Sequence, residues 1–172
     1  MEEIMKTVAG LMAVSARTAP KAAGKDFVEI KIIEGEDLDF LADKMVEYGE
    51  ETGKRNFDRD GENVRNSDAV LLLSLNEPVP VGLNCGACGY ERCADLETKA
   101  GPEFAGSLCA WRILDLGIAL GSAVKTASLL NADNRIMYRI GVIARKFKMI
   151  EGELVVGIPI AATGKNIYFD RK

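Results

Sequence analysis

The chain has 172 residues, of which 48% are hydrophobic, and a formal net charge of −4. A chain of this length and composition suits one compact domain spanning residues 1–172, with a core that needs no disulfide support. Because the chain contains no histidine, Ser-His and Cys-His catalytic pairs and all histidine-ligated metal and haem sites are excluded.

The N-terminal sequence MEEIMKTVAG carries acidic residues where a signal peptide carries basic ones, so we expect no signal peptide. The longest apolar run, residues 113–124, contains Asp115 and is too short to cross a bilayer. No basic cluster indicates nucleic-acid binding. We therefore expect a cytoplasmic protein with no nucleic-acid or membrane partner, in a compartment that keeps thiols reduced.

Helical and strand periodicities alternate along the first half of the chain. Apolar spacing predicts a helix over 3–17, which ends before Pro20. DFVEIKII alternates like a half-buried strand, and a helix capped by Asp37 follows it. KRNFDRDGENVRNSD is polar and indicates a loop, whereas AVLLLSL is continuously apolar and predicts a central strand. The residues expected to face the core are Ile4, Val8, Leu11, Met12, Ser15, Val28, Ile30, Ile32, Leu38, Leu41, Met45 and Tyr48.

The second half begins with AWRILDLGIALGSAVKTASLL, which predicts a long helix that is apolar on most sides and therefore buried. Gly117 and Gly121 share one face of it, where a neighbouring helix or a flat ligand can approach closely. A helix capped by Asp133 follows, and then the strand ELVVGIPIAA, in which Pro159 indicates an edge or a strand end. The residues of the capped helix expected to face inward are Ile136, Ile140, Ile143 and Phe147.

The C-terminal segment NIYFDRK places Ile167, Tyr168 and Phe169 beyond the last strand. Such an apolar strip has little left to cover it in a monomer, so we expect a homodimer. The few strands and long helices predict a single-domain α+β fold in which helices pack on a small mixed sheet.

All four cysteines of the chain lie within one short region, in the pattern C-x2-C-x4-C-x15-C. Reduced thiolates are the soft ligands that select zinc, copper(I) or iron–sulfur clusters. Structural zinc sites with four cysteine ligands usually consist of two C-x2-C pairs, and the second pair is missing here. The asymmetric spacing therefore favours a cluster, with four-cysteine zinc and free thiols as the alternatives. The candidate metal ligands are Cys85, Cys88, Cys93 and Cys109.

The residues between and after the cysteines also suit a cluster. Gly86, Ala87 and Gly89 leave room for a bulky inorganic core and let backbone N–H groups turn toward sulfur. Cys109 stands directly before the long helix, whose N-terminus favours a thiolate. Trp111, the single tryptophan, is expected in the core, close enough to the ligands to shield a cluster from water.

The segment NCGACGYERCADLETKAGPEFAGSLC resembles the four-cysteine [4Fe–4S] module of electron-transfer and corrinoid iron–sulfur proteins. That module reads as an acidic residue, CGACGY, two residues, a cysteine, a short helix and a distant cysteine. This chain has Asn84 in place of the acidic residue, and Ala110 and Trp111 in place of a proline after the last cysteine. The resemblance implies a [4Fe–4S] cluster on the four cysteines, in an inserted module spanning residues 82–110. The whole chain is similar to a family of microbial proteins described as containing a ferredoxin-type domain.

The flanking segments are similar to nitroreductase-type flavoproteins. SARTAPKAAGKDFVEIKII matches that family's helix-to-strand turn, DLGIALGSAVKTASLLN its long central helix, and GELVVGIPIA its last strand. The resemblance implies a homodimer with FMN at the interface. The FMN contacts that the resemblance implies are the basic residues Arg17, Lys21 and Lys165. The small residues Gly117, Gly121 and Ser122 lie along one broad side of the long helix, where they are expected to open a flat slot for the flavin ring. The alternatives are a solvated helix end at Arg17, Lys21 and Lys25, and helix packing at the two glycines.

These observations predict an iron–sulfur redox protein that exchanges electrons with an unidentified redox partner. A flavin-linked oxidoreductase with FMN as a second cofactor is the enzymatic extension of this hypothesis. The alternative is a structural or regulatory zinc protein with four cysteine ligands and no catalytic activity. No catalytic residue is identified from the sequence.

Overall fold

The computed structural model describes residues 1–169. In this range, five α-helices surround a four-stranded sheet, and a two-stranded hairpin lies apart from it. The helices are Glu2–Thr18 (α1), Glu36–Thr52 (α2), Phe57–Arg65 (α3), Ala110–Leu129 (α4) and Tyr138–Lys146 (α5). The strands are Val28–Ile33 (β1), Ala69–Leu75 (β2), Lys99–Ala100 (β3), Ala105–Gly106 (β4), Asp133–Asn134 (β5) and Leu154–Ala161 (β6). Short 3-10 turns span Ala22–Gly24 and Cys93–Asp95.

The main sheet has the strand order β1-β2-β6-β5, and every pair in it is antiparallel. Val28 lies opposite Leu75, which in turn lies opposite Leu154. The expected mixed sheet is therefore wrong in its strand directions, although the α+β class is confirmed. A continuously apolar strand indicates burial on both faces, a property that parallel and antiparallel central strands share.

Helices cover both faces of the sheet and create two cores. Helices α1 and α4 pack on one face, and α2, α3 and α5 pack on the other. In the central strand β2, Leu71 and Leu73 point into the first core, whereas Val70 and Leu72 point into the second. All seven residues of β2 are buried, which explains why AVLLLSL lacks the alternation of a half-buried strand.

The predicted helix over 3–17 is confirmed as α1, but its buried face is rotated from the predicted one. Ile4 and Leu11 are 61% and 47% exposed, whereas Ala9 and Ala16 are fully buried. Helix α1 packs against α4 through small side chains, and the Ser15 and Thr126 hydroxyls lie 2.6 Å apart between them. Close helix packing selects small residues, which a pattern of large apolar residues does not reveal.

Two predicted caps are wrong. Helix α2 begins after Gly35, which adopts a φ of 56°, and Asp37 lies inside its first turn. Asp133 belongs to β5, and the next helix, α5, begins only at Tyr138. Ile136 is 44% exposed because it precedes α5 rather than facing the core from within it. Phe147, just past the end of α5, is 38% exposed, while Ile140 and Ile143 are buried as predicted.

The polar segment predicted as a loop contains α3. Phe57 and Val64 anchor this helix in the second core, so two apolar residues suffice to bury one face. Asp60 is also buried and receives hydrogen bonds from Arg59 and Arg139. The sequence of this segment is almost uniformly polar, so it does not reveal that one carboxylate is buried between two guanidinium groups.

Strand β6 is an inner strand rather than an edge strand. It pairs with β2 from Leu154 to Ile160 and with β5 at Ile160 and Ala161. Met137 forms a further bridge with Gly157, and Pro159 lies between these two contacts on the β5 side. The proline is tolerated because β5 is short and makes few ladder hydrogen bonds.

Two apolar segments differ from expectation in their exposure. Helix α4 is not buried on most sides, because Trp111, Ile113 and Leu114 are 40%, 44% and 49% exposed. Tyr168, in contrast, is 1% exposed, and its hydroxyl lies 2.8 Å from that of Ser67. The C-terminal strip thus packs on its own chain, apart from the exposed Phe169, and does not by itself call for a partner.

Within residues 1–169 no helix combines the length and apolarity needed to cross a membrane.

Candidate metal centre

All four cysteines line one cavity. The cavity is narrow, and its mouth opens to solvent. Cys85, Cys88 and Cys93 approach it from the loop after β2, and Cys109 approaches it from the residue before α4. The apolar side chains in the lining include Val81, Leu83, Tyr90 and Trp111. The fold therefore brings the tight cysteine trio and the distant fourth cysteine to the same place, with all four as free thiols.

Asn84 closes the loop that carries the trio. Its backbone N–H donates to Cys93 Sγ at 3.3 Å, and its side-chain Oδ1 accepts from the Cys93 N–H at 2.8 Å. Asn84 has a φ of 48°, a left-handed conformation that asparagine tolerates better than most residues. Asn84, which stands in place of the usual acidic residue, thus both contacts the Cys93 sulfur and closes the loop.

Cys85 is the exposed thiol of the set, and it receives two hydrogen bonds at sulfur. The Ala87 backbone N–H and the Trp111 indole N–H donate to it, the latter at 3.3 Å. These two donors lower the pKa of the Cys85 thiol. A lowered pKa favours the thiolate, which is the form that binds soft metals.

Cys109 is the buried thiol, with 5% of its surface exposed. It is the N-cap residue of α4, and its carbonyl accepts from the N–H groups of Arg112 and Ile113. The prediction that Cys109 stands at the start of the long helix is confirmed.

A buried ion pair fixes the first turn of α4. Arg112 is 1% exposed and donates to Asp115 at 3.0 Å. The same guanidinium donates to the carbonyls of Val79, Ala22 and Lys25, and Asp115 accepts from the Ala22 N–H. Arg112 therefore ties the segment entering the cysteine loop to the helix that follows Cys109. This pair was missed from the sequence, where the available signal was an Arg-x-x-Asp spacing inside an apolar helix.

The donor set fits an iron–sulfur cluster chemically. Four thiols line one cavity, and N–H groups donate to two of the sulfurs, as they do to cluster ligands. Among residues 1–169, no three Cys, Asp or Glu side chains are arranged closely enough to hold a metal ion. Convergence of the four thiols on one centre therefore stays a prediction.

The predicted phosphate-binding cations are separated in one chain. Arg17 donates to Asp26 and to the Val28 carbonyl, each at 2.7 Å. The side chain of Lys21 is 5% exposed, and its ammonium donates to the last carbonyls of α1 at Ala16 and Arg17. Both residues lie at the Val28 end of the sheet.

Lys165 follows Ala161, at the opposite end of the sheet from Arg17 and Lys21. The eight residues of β6 separate these two ends by roughly 20 Å. A single chain therefore does not bring the three cations together.

The predicted ring-binding residues lie along the outer side of α4. Gly117 and Gly121 are exposed, and a Cβ at either one would meet no atom of residues 1–169 within 4 Å. Ser122, next to them, is half-buried. The interpretation that these glycines serve helix packing is therefore wrong within one chain. We call the exposed side of the helix at Ile113, Leu114, Gly117, Gly121 and Lys125 the open face of α4.

The arrangement of elements defines a nitroreductase-like α+β fold that carries a four-cysteine module. An FMN-dependent nitroreductase from Mycobacterium smegmatis in complex with NADPH superimposes with a TM-score of 0.61 and 14% identity, covering 94% of this chain and 80% of that chain. A nitroreductase with bound FMN from Desulfitobacterium hafniense has a TM-score of 0.60 and 10% identity, covering 92% of this chain and 78% of that chain. At such identities the likeness defines the fold alone.

The sequence comparisons identify the family. An uncharacterized protein from Archaeoglobus fulgidus is 48% identical over 171 residues, which cover 98% of this chain and 92% of the relative. A family model described as uncharacterized protein containing a ferredoxin domain matches residues 105–171. The chain belongs to this family of ferredoxin-domain proteins. The matched residues include Cys109 and α4, and begin after the cysteine trio.

Proposed function

We propose that this protein is a cytoplasmic [4Fe–4S] redox protein that passes electrons to an unidentified partner. The observation that carries the proposal is that all four cysteines line one cavity. The ferredoxin-domain family and the nitroreductase-like fold both support a redox function. When bound, an iron–sulfur cluster supplies one-electron transfer, and the protein positions it and limits its contact with water.

Each part of the site has a distinct task in this proposal. Cys85, Cys88 and Cys93 supply three ligands from one loop, which the Asn84–Cys93 contacts hold closed. Cys109 supplies the fourth ligand from a buried helix start. The N–H donors at the sulfurs stabilise negative charge on the ligands, and the apolar side chains of the lining limit the access of water.

The test is anaerobic purification of the full chain, followed by assays for iron, acid-labile sulfide, zinc and flavin. We expect brown protein with broad absorption near ~400 nm and iron with sulfide in the preparation. Cys88→Ser should lower the iron and sulfide content strongly. Ala94→Ser is the matched control, because it places the same side chain at an exposed position beside Cys93 and leaves all four thiols in place.

The zinc alternative gives a different result in the same assays. A colourless protein with one zinc per chain and no sulfide would show that the four cysteines hold a structural or regulatory zinc ion instead of a cluster. Iron and sulfide at the wild-type level in Cys88→Ser would show instead that the ligand assignment is wrong.

We also propose that the protein is a homodimer that binds FMN, which would make it a flavin-linked oxidoreductase. One structural neighbour with bound FMN and one described as FMN-dependent support this extension, and so does the open face of α4, where Gly117 and Gly121 leave flat space. Since one chain keeps Arg17 and Lys165 at opposite ends of the sheet, a phosphate site that used both would need two copies. FMN binding and dimerisation are therefore expected together.

Flavin fluorescence tests the FMN proposal. Titration into anaerobic, cluster-loaded protein should quench FMN emission at about one equivalent per chain, with micromolar or tighter affinity. Gly121→Ala should weaken this binding, because it fills the open face without disturbing the chain's own packing. Gly10→Ala is the control, since that helical glycine also has nothing within 4 Å but lies on α1. No quenching at near-millimolar FMN would remove the flavin from the proposal.

Light scattering tests the homodimer. Leu114 on α4 is 49% exposed, and Ile4 and Val14 on α1 are 61% and 60% exposed on the same layer, which leaves apolar surface for a second copy. Leu114→Glu should shift the full chain toward monomer. Phe40→Glu, at a 41% exposed position on the opposite layer, should not. A wild-type chain that is monomeric at micromolar concentration would contradict the proposal.

A further inference from the structure

We infer that Trp111 tunes the reduction potential of the cluster by hydrogen bonding to the ligand Cys85, and that its ring covers the cluster cavity. This inference rests on the proposed [4Fe–4S] function. Trp111 is a positioning residue here: it acts through a ligand and does not itself bind the metal.

The contact joins two distant parts of the chain. The indole Nε1–H donates to Cys85 Sγ at 3.3 Å, across 26 residues of sequence. Trp111 is the second residue of α4, two positions after Cys109. The first turn of α4 thus follows one proposed ligand directly and supplies a hydrogen bond to another.

Arg112 anchors the helix start that carries the indole. Arg112, the next residue, is buried and donates to Asp115 and to the carbonyls of Val79, Ala22 and Lys25. Val79 belongs to the segment that leads into the cysteine loop. Arg112 therefore links the helix start that carries the indole to the segment that leads to Cys85.

The ring also separates the cavity from water. Trp111 lines the cavity beside all four cysteines, yet 40% of it remains exposed. One part of the ring thus contacts the site while another part faces solvent. The sequence predicted a core tryptophan, and the structure shows instead a tryptophan at the boundary of the site.

The hydrogen bond has a definite electrostatic consequence. One-electron reduction adds negative charge to a cluster and its thiolates, and an N–H donor stabilises the more negative state. Removal of the donor with retention of an aromatic ring should therefore lower the potential. Removal of the ring should in addition admit water and oxygen to the site.

Trp111 is the only tryptophan in the chain, so the emission of the protein reports on this position alone. Tryptophan emission close to an absorbing cluster is quenched. Loading the full chain with iron and sulfide should reduce its emission severalfold, and removal of the cluster with a chelator should restore it. Unchanged emission on loading would show that Trp111 does not adjoin the cluster, and it would overturn the inference.

The decisive experiment is an anaerobic redox titration of cluster-loaded wild type and Trp111→Phe, in which electron paramagnetic resonance monitors the reduced cluster. We expect a lower potential in Trp111→Phe. Global replacement of the single tryptophan by 5-fluorotryptophan, whose N–H is the more acidic donor, should raise the potential, and it exchanges only one hydrogen of the ring for fluorine. Leu129→Phe is the control, because it adds a ring at a 73% exposed residue of α4 that lies outside the cavity lining.

Oxygen exposure separates the covering role from the hydrogen bond. Bleaching near ~400 nm should be severalfold faster in Trp111→Leu than in Trp111→Phe, because a phenyl ring still covers the cavity and a leucine side chain does not. Equal potentials in wild type, Trp111→Phe and the fluorinated protein would overturn the tuning role. A wild type that never assembles iron and sulfide would instead overturn the proposed function, and the inference with it.

Discussion

Asn84 and Cys93 are joined by two reciprocal hydrogen bonds. The Asn84 N–H donates to Cys93 Sγ at 3.3 Å, and the Cys93 N–H donates to Asn84 Oδ1 at 2.8 Å. These contacts tie together the two ends of the segment that carries Cys85 and Cys88. Loop closure before the metal arrives reduces the conformational entropy that the ligands lose on binding.

Substitution of Asn84 tests this closure. Asn84→Ala removes the acceptor for the Cys93 N–H and places a less tolerant residue at a φ of 48°, so we expect reduced iron and sulfide content after anaerobic reconstitution. Asn84→Asp keeps the acceptor and adds a negative charge, so it should retain the cluster at a lower potential. Full iron content in Asn84→Ala would show that the loop closes without this residue.

The buried pair Arg112–Asp115 should dominate the stability of the site. Arg112→Met leaves the carboxylate of Asp115, which is 4% exposed, without its cation and should cost about 3–5 kcal/mol in the free energy of unfolding. Arg112→Met combined with Asp115→Leu should recover part of this loss, but not the contacts to the three backbone carbonyls.

The matched control for this pair is Arg92→Met. Arg92 and Asp95 have the same sequence spacing, but their side chains are 72% and 43% exposed. Loss of that surface pair should cost about 1 kcal/mol or less. Urea unfolding measures all the variants, and similar losses in Arg112→Met and Arg92→Met would contradict the anchoring role.

Replacement by alanine should change the stability of the protein in opposite directions at two helical glycines. A Cβ at Gly141 would overlap the carbonyl oxygen of Val155, so Gly141→Ala must separate α5 from β6 and should cost about 3 kcal/mol or more. A Cβ at Gly117 meets nothing within 4 Å, so Gly117→Ala should stabilise α4 by up to about 1 kcal/mol. Thermal unfolding of the two variants side by side measures the difference.

The stability of the turn after α1 should depend on pH through Asp26. Partial burial pushes the pKa of Asp26 upward, but hydrogen bonds from the Val28 N–H and Arg17, with the charge of Lys21, outweigh it and lower the pKa overall. A lowered pKa in the folded state gives stability that is present above the unfolded value of ~3.9 and is lost as pH falls through the folded value.

Asp26→Asn should therefore reduce the free energy of unfolding near neutral pH by about 1 kcal/mol. It should also flatten the loss of stability below about pH 4. Urea unfolding of wild type and variant at pH 7 and pH 3 makes the comparison. A difference between the two proteins that is the same at both pH values would contradict an ionised Asp26 contact.

The sequence by itself determined most of the secondary structure and the identity of the thiol set. Helix α1, strand β1 and the central strand β2 follow from local periodicity, because side-chain spacing along one element is a property of neighbouring residues. The position of Cys109 directly before α4 follows in the same way. The composition also excludes histidine chemistry without reference to any fold.

Only the tertiary structure decided which surfaces meet. Tyr168 was expected to be exposed and is buried, whereas the outer side of α4 was expected to be buried and is open. Burial depends on which elements pack together, and local spacing contains no information about that choice. The antiparallel register likewise places Arg17 and Lys165 at opposite ends of one sheet, while the chain path brings Trp111 to Cys85 and Arg112 to Val79. Such contacts join residues tens of positions apart, so they exist only once the helices have packed on the sheet.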